Sequence, residues 1–369
     1  MSSFLISSKR FFRPSAMTLV ALATILGISS CNQSEEFNFQ GPIMGTQYKL
    51  TLACETDESP QALLDIAVAE MDAVNASMST YIENSELNKF NRSTSLDWQP
   101  ISSDLSTVME IAQSVSIASE GAFDVTVSPL VDVWGFGSSK QNQLTFAIPS
   151  HEQLQTLKTV VGYDKVEINS TKQQWRKKVV GLNVDLSAVA KGYAVDKVSD
   201  ALVSAGCQDH LVDIGGELKL KGSKNQKDSL WRIAIEKPDT RSANSIQELL
   251  NVSEVGVASS GDYRNFYQTD DGKRYSHTID SRTFRPIEHN LTAVTVLHQQ
   301  TALADAWATA FMVLGDEAPA LAEKNGLAAY FIFREFDLAL SNNANEDSKN
   351  VEKYRIVATK QFDKFLTNK

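Results

Sequence analysis

Three cysteines and five histidines in 369 residues leave little material for a zinc site, and no Cys/His cluster falls at zinc-ligand spacing. The chain has no GxxxxGK[ST] phosphate loop and no GxGxxG after a strand. It also lacks a GxSxG elbow and an HExxH helix. These absences exclude the common nucleotide loops, the α/β-hydrolase nucleophile and the zincin metal site. Basic residues are in deficit, 35 Lys and Arg against 45 Asp and Glu, so the formal charge is −10. Such a surface is a poor match for nucleic acid, whose backbone calls for clustered Lys and Arg. A long hydrophobic run is missing too. The longest candidate, Ala16 to Ile28, is too brief to be read first as a membrane span.

That short run has a different context. Lys9, Arg10 and Arg13 precede it, and Ile28-Ser29-Ser30-Cys31 follows. A positive n-region, a short apolar h-region and small residues before a cysteine read as a signal peptide over residues 1–30. The last four residues resemble the bacterial lipobox. Cys31 would then carry acyl chains, including palmitate, and hold the protein to a membrane by summed CH₂ burial. An ordinary signal peptide with a chance cysteine is the other reading. Asn32, not Asp, follows, so the choice of inner or outer membrane stays open. Residues 31–36 read as a polar tether and 37–369 as the functional domain, one large domain or two intimate lobes. Without residues 1–30 the three basic residues are lost and the charge becomes −13. An anionic small ligand would need a local device: a metal ion, helix N-termini or backbone amides. An export compartment would permit Cys54 and Cys207 to pair, and two separate buried thiols suit the sequence equally.

Periodicity predicts helices over SPQALLDIAVAEMDAVNASM and SSDLSTVMEIAQSVSIASEG. A shorter one is expected in PSHEQLQTLKTVVG, where Ser150 and Gln153 make a capping box. TQYKLTLACE, VEIN, KKVVGLNVDL, HLVDIGGELKLKG, WRIAIEKP, VGVASS, TAVTVLH and AAYFIFREF read as strands. A hairpin with tip DDG joins NFYQT to KRYSHTID. FDVTVSPLVDVWGFG reads as an aromatic, glycine-rich loop, and GSKNQKDS and SNNANEDSKN as exposed loops. Strands in the middle with flanking helices predict α+β or mixed α/β layers.

Chemistry enters through TALADAWATAFMVLG, Thr301 to Gly315. An apolar helix here carries Thr301, Asp305 and Thr309 four apart, on one stripe. A carboxylate and a hydroxyl one turn apart can supply part of an octahedral Mg²⁺ shell. The helix dipole and a hydroxyl bonding back to a carbonyl would equally explain both residues. In VDLSAVAKGYAVD a strand meets a helix expected to begin near Ser187, with Lys191 and Gly192 one turn in. Such a junction offers free N–H groups to phosphate. In SHTIDSRTFRP, His277 is an imidazole that could deprotonate a hydroxyl, or a histidine packed at the hairpin base.

These stretches occur together with GPIMGTQY, MSTYIENSELNKFN, GAFDVTVSPLVDVWGFG, LVDIGGE and GVASSGDYRNFY. In that order they resemble the ApbE family of exported FAD:protein FMN transferases, from about Phe39 to Phe336. The resemblance implies a T-fold-like α+β architecture with mixed or antiparallel sheets. It implies Mg²⁺ as cofactor and FAD as substrate, with FMN moved onto a Ser or Thr hydroxyl of a partner flavoprotein and AMP released. Partners would be respiratory subunits of the sodium-pumping quinone reductase or Rnf type, at the periplasmic face of the bacterial cell envelope. In some relatives water is the acceptor, which makes an FAD pyrophosphatase; a flavin-binding lipoprotein without catalysis is a third reading. Residue by residue, Asp305 and Thr309 match metal ligands, and Ala188 matches a third acting through its carbonyl. Met44, Tyr81, Ala122, Phe123, Asp124, Lys191 and Ile279 match flavin-nucleotide contacts. His277 matches a histidine of the transfer step. Where relatives often read Asp-Pro-x-Thr-Gly, this chain has Asp280-Ser281-Arg282-Thr283-Phe284, which is expected to alter a turn beside the site.

Overall fold

Alternating side chains build the centre of the molecule, a computed structural model that describes residues 36–137, 148–224, 229–238, 245–262, 266–269, 274–335 and 353–366. The predicted signal peptide, Cys31, the DDG tip and the SNNANEDSKN loop lie outside the described residues. Among those described, eight strands form one sheet. They are β1 (Phe37–Ile43), β2 (Thr46–Leu52), β6 (His210–Ile214), β7 (Glu217–Lys221), β10 (Val255–Gly261), β15 (Leu291–His298), β16 (Ala328–Glu335) and β17 (Lys353–Ala358), in that spatial order. Three smaller pairs are β8 (Trp231–Glu236) with β9 (Ile246–Val252), β11 (Phe266–Gln268) with β12 (Arg274–Ser276), and β13 (Ile279–Asp280) with β14 (Arg285–Pro286). A three-stranded sheet joins β3 (Gln99–Pro100), β5 (Gln174–Lys177) and β4 (Val166–Asn169). Every described pairing is antiparallel. The α+β expectation is met in its antiparallel form.

The sheet has a core on each face, and β16 shows why its sequence is apolar throughout. Ala329, Phe331 and Phe333 point into one core. Ala328, Tyr330 and Ile332 point into the other. A strand buried on both faces loses the polar half of its alternation. The first core is covered by helices α1 (Pro60–Met78), α3 (Ser103–Ala118), α6 (Ala190–Ser204) and α7 (Thr301–Leu314), with α6 packed on α7 and α7 on β10 and β15. The second is covered by the β8–β9 hairpin and by Phe362 of the terminal helix. A third cluster, Leu130, Trp134, Val161, Tyr275 and Ile279, supports the far wall of the cleft described below.

Local chemistry sets the element ends. Ser59 accepts from the Ala62 N–H at the start of α1, with Pro60 in first position. The Ser150–Gln153 capping box forms as expected, opening helix His151–Leu157. Among the described helices none is long and apolar enough to cross a membrane. Cys54 and Cys207 are joined by a disulfide, which resolves the alternatives left by the sequence.

Four local expectations need correction. FDVTVSPLVDVWGFG is not a plain loop: Ser128–Val133 is a short helix opened by Pro129. Helix α6 begins at Ala190, not near Ser187. The Asp185 carboxylate takes the Ser187 N–H in a turn that delays helical geometry. KKVVGLNVDL holds no strand beyond Lys177. Strands β1, β9 and β17 were absent from the sequence reading; β1 contains Gly41 and Pro42, which mask its alternation and suit its place at the sheet edge.

Candidate functional site

A cleft of about 700 Å³ opens between the α6–α7 pair and the segments carrying β12 and β13. Tyr81, Ala122, Phe123, Asp124, Ala188, Lys191, His277, Ile279, Asp305 and Thr309 all line it. Of the described residues matched to metal, flavin-nucleotide or transfer roles, Met44 alone is not in the lining. It sits in the β1–β2 turn, where Met44 and Gly45 both have positive φ (48° and 74°), the geometry of a two-residue type I′ hairpin.

Helix α7 delivers Asp305 and Thr309 to one face, as the four-residue spacing predicts. Asp305 is only 4 % exposed, and its Oδ2 accepts from the Gly192 N–H at 3.1 Å. Gly192 is the reason the two helices come so close. A Cβ there would lie 2.6 Å from the Thr301 carbonyl oxygen and 2.8 Å from Ala302 Cα. Helix α7 has no side-chain cap of its own. Asp196 of α6 supplies one, accepting from the Ala302 N–H at 3.0 Å. Thr301, the third member of the stripe, is fully buried against β10 and has a structural place.

Glu217 was missed by the sequence reading, although it ends the quoted LVDIGGE. The signal was the Gly-Gly pair. Gly215 and Gly216 have φ of 66° and 102° and close the β6–β7 hairpin with Ile214 opposite Glu217. That turn aims Glu217 into the cleft, where Oε1 pairs with Lys191 Nζ at 2.5 Å and Oε2 is buried without a partner. Burial pushes the Asp305 carboxyl up, against the pull of Lys191 and the Gly192 N–H. Burial and the Asp305 charge push Glu217 up to about 8, with Lys191 opposing. Burial lowers Lys191, but Asp305 and then Glu217 outweigh it, so its pKa is raised. The ammonium therefore stays charged. Asp132 and Asp185, also unremarked in the sequence, line the same cleft; burial and then the Asp185 charge raise Asp132.

The opposite wall is a loop network. Asp124 Oδ1 accepts from the Thr126 N–H and hydroxyl, and Oδ2 from the Tyr163 N–H. Burial raises its pKa, offset by those bonds. Ser281, in the position where relatives often have proline, donates its hydroxyl to the Gly121 carbonyl at 2.8 Å and ties the Ile279–Pro286 turn to Ala122–Asp124. Phe284 stands where relatives often have glycine, yet keeps φ at +63°. The turn takes left-handed geometry at a phenylalanine, held by Trp134 Nε1 donating to the Phe284 carbonyl. His277 follows β12 directly, half-buried, with its ring edge-on to Phe136 at 6.5 Å. Tyr81, 80 % exposed at the rim, lies in a loop whose Ser79, Thr80 and Ile82 carbonyls all accept from Asn88 Nδ2.

The sequence pattern of the ApbE family matches residues 44–331. The chain belongs to the ApbE family. The FAD:protein FMN transferase of Haemophilus influenzae is 38 % identical over 325 residues, covering 86 % of this chain and 92 % of that protein. The Escherichia coli K12 enzyme of the same name is 38 % identical over 301 residues, 81 % of this chain and 84 % of its own. The structure of the flavin transferase ApbE from Vibrio cholerae superposes with a TM-score of 0.78 at 36 % identity, over 90 % of this chain and 99 % of that one. The apo flavinyl transferase ApbE of Pseudomonas stutzeri gives 0.78 at 35 %, over 90 % and 98 %. This ApbE-family member therefore shares its fold with flavin transferases across nearly their whole length.

The donor chemistry of the cleft fits Mg²⁺. Asp305, Thr309 and Ala188 line one cleft surface, and a carboxylate, a hydroxyl and a backbone carbonyl are all hard oxygen donors. One Asp305 oxygen is oriented by a backbone N–H, the kind of support that fixes a metal-binding carboxylate. No group of three or more His, Cys, Asp or Glu side chains is arranged for a metal among the described residues. A cation held here would take a mixed set of oxygen donors, with positions left for phosphate and water.

Proposed function

We propose that this chain is an Mg²⁺-dependent FAD:protein FMN transferase, which moves FMN from FAD onto a Ser or Thr hydroxyl of a partner flavoprotein and releases AMP. The observation that carries this is the meeting, in one cleft, of the Asp305–Thr309–Ala188 oxygens, the Lys191 ammonium and the His277 imidazole. The relatives' names give the activity of those proteins and support the same one here.

In the reaction the acceptor oxygen forms a bond to the FMN phosphorus. The bond from that phosphorus to the bridging oxygen breaks, and AMP leaves with the electron pair. His277 takes the acceptor proton, a contribution of typically ~10²- to 10⁴-fold. Asp305, Thr309 and Ala188 would hold the cation, which supplies charge neutralisation at the diphosphate. Lys191 adds a positive charge in a chain that is acidic overall. Phe123 and Ile279, buried in the lining, and Tyr81 at the rim offer apolar and aromatic surface to the flavin.

Purified protein incubated with FAD, MgCl₂ and an acceptor domain should add one FMN to a hydroxyl residue of the acceptor, read by intact and peptide mass spectrometry. An unmodified acceptor with free FMN accumulating would instead mark a pyrophosphatase. Intact FAD throughout would mark a flavin carrier. Acceptors of the sodium-pumping quinone reductase or Rnf type are the first to try. A location at the periplasmic face, through a lipid on Cys31, is part of the same proposal. The Cys54–Cys207 disulfide supports an oxidising compartment, and the cysteine closing the lipobox-like run supports the anchor.

A further inference from the structure

Two neighbouring residues of α6 serve two different carboxylates. Gly192 offers a neutral N–H to Asp305, at 3.1 Å. Lys191 sends its ammonium to Glu217 on β7, at 2.5 Å. Lys191 directly precedes the glycine whose N–H binds Asp305, and Lys191, Glu217 and Asp305 line the same cleft, so the Asp305 charge acts on the same ammonium. Asp305 and Glu217 thus compete for one cation. If Lys191 moved onto Asp305, it would take the oxygen that a divalent ion needs. Glu217 is well placed to prevent this. It is 4 % exposed, it is fixed by the tight Gly215–Gly216 turn, and its second oxygen is buried with no partner.

We infer that Glu217 is a positioning residue that holds Lys191 away from Asp305 and so keeps the Asp305 carboxylate open to a divalent cation. The inference rests on the proposal that Asp305 is a metal ligand. It adds that metal affinity depends on a side chain that need not touch the metal.

The test is Mn²⁺ binding to the purified protein without FAD, followed by the electron paramagnetic resonance signal of free Mn²⁺. Glu217→Asp keeps the charge but is one methylene too short to hold Lys191. It should weaken Mn²⁺ roughly 10- to 100-fold, the usual cost of losing support around a metal ligand. Glu217→Gln should fall at least as far. Lys191→Met removes the competitor and should bind Mn²⁺ no less tightly than the parent. The pair Glu217→Asp with Lys191→Met should return to within about threefold of the parent, because the two changes act on one contact. A simple through-space role for the Glu217 charge predicts no loss in Glu217→Asp, and that result overturns the inference. Should the Glu217 variants melt early, weaker binding by Lys191→Met alone overturns it too. Asp305→Ala separates the two levels. Parental Mn²⁺ affinity in that variant removes the metal reading and this inference together. Lost affinity there, with Glu217→Asp unaffected, removes this inference only.

Discussion

Replacing Gly192 by alanine adds one methyl group at the closest approach of α6 and α7. The new Cβ would stand 2.6 Å from the Thr301 carbonyl oxygen and 2.8 Å from Ala302 Cα, both backbone atoms of α7. Relief to ordinary contact requires the helices to part locally by about 0.7 Å. That shift carries the Gly192 N–H, now 3.1 Å from Asp305 Oδ2, beyond hydrogen-bond range. Two effects oppose each other. Alanine is favoured over glycine in a helix interior by up to about 1 kcal/mol. Overpacking costs about 1–3 kcal/mol, and the lost bond to a carboxylate adds to it. The loss wins, and a net destabilisation of about 1–2 kcal/mol is expected, with metal affinity weakened roughly tenfold through the disturbed carboxylate. Urea unfolding gives the first quantity and Mn²⁺ titration the second. A variant more stable than the parent by the full helix-propensity gain, with unchanged Mn²⁺ affinity, would refute the close packing from which the site is built.

Three further outcomes are expected. His277→Ala should lower the single-turnover rate of transfer about 10²- to 10⁴-fold with little change in FAD affinity; a defect in affinity alone would make His277 a binding residue. Replacing both Cys54 and Cys207 by serine should cost about 2–4 kcal/mol in denaturant unfolding, since the bond closes a loop with a sequence separation of 153; reducing agent should leave the double variant unaffected. His210 is buried between the Ser199 hydroxyl and the Cys207 carbonyl, and burial lowers its pKa to about 4. The unfolded chain therefore protonates first on acidification. The neutral ring's contribution is complete above about pH 6.5 and is lost as pH falls toward 4, by about 3 kcal/mol; a His210→Gln variant with the same pH slope would show that other groups carry it.

The Asp305–Thr309 stripe was legible because a helix places residues four apart on one side whatever surrounds it. Asp305 and Thr309 needed only that rule. Strands β15 and β16 of the large sheet were legible for a related reason: they are buried on both faces and read as apolar runs, whereas the edge strands β1 and β17 do not. What escaped depended on partners far away in sequence. Nothing local to α7 shows that its N-terminus is capped by Asp196, 106 residues earlier. The late start of α6 had a local cause instead: Asp185, two residues before Ser187, captures its N–H in an Asx turn and pushes the helix start to Ala190. The short helix at Ser128–Val133 and the Trp134 that ends it pack against Tyr275 and Ile279, contributed by strands about 140 residues on.

The turn at Asp280–Phe284 carries the same lesson in the other direction. Judged by residue type, serine for proline and phenylalanine for glycine should reshape it. In the folded chain Ser281 gains a bond to Gly121 that proline could not make. The ring of Phe284 packs on the Trp134 cluster and under the Lys158 ammonium, 5.7 Å from the ring centre. These contacts offset the strain of a left-handed phenylalanine, of order 1–3 kcal/mol. Phe284→Gly would remove the strain and the packing together, leaving stability near the parent's. Ser281→Ala has no such compensation. It leaves the Gly121 carbonyl without its hydroxyl partner, directly behind the Ala122–Asp124 wall of the cleft, so the loss should be felt in FAD affinity before it is felt in folding. An unchanged FAD dissociation constant in Ser281→Ala, measured by flavin fluorescence, would mean that the tie between the two walls does not shape the nucleotide site.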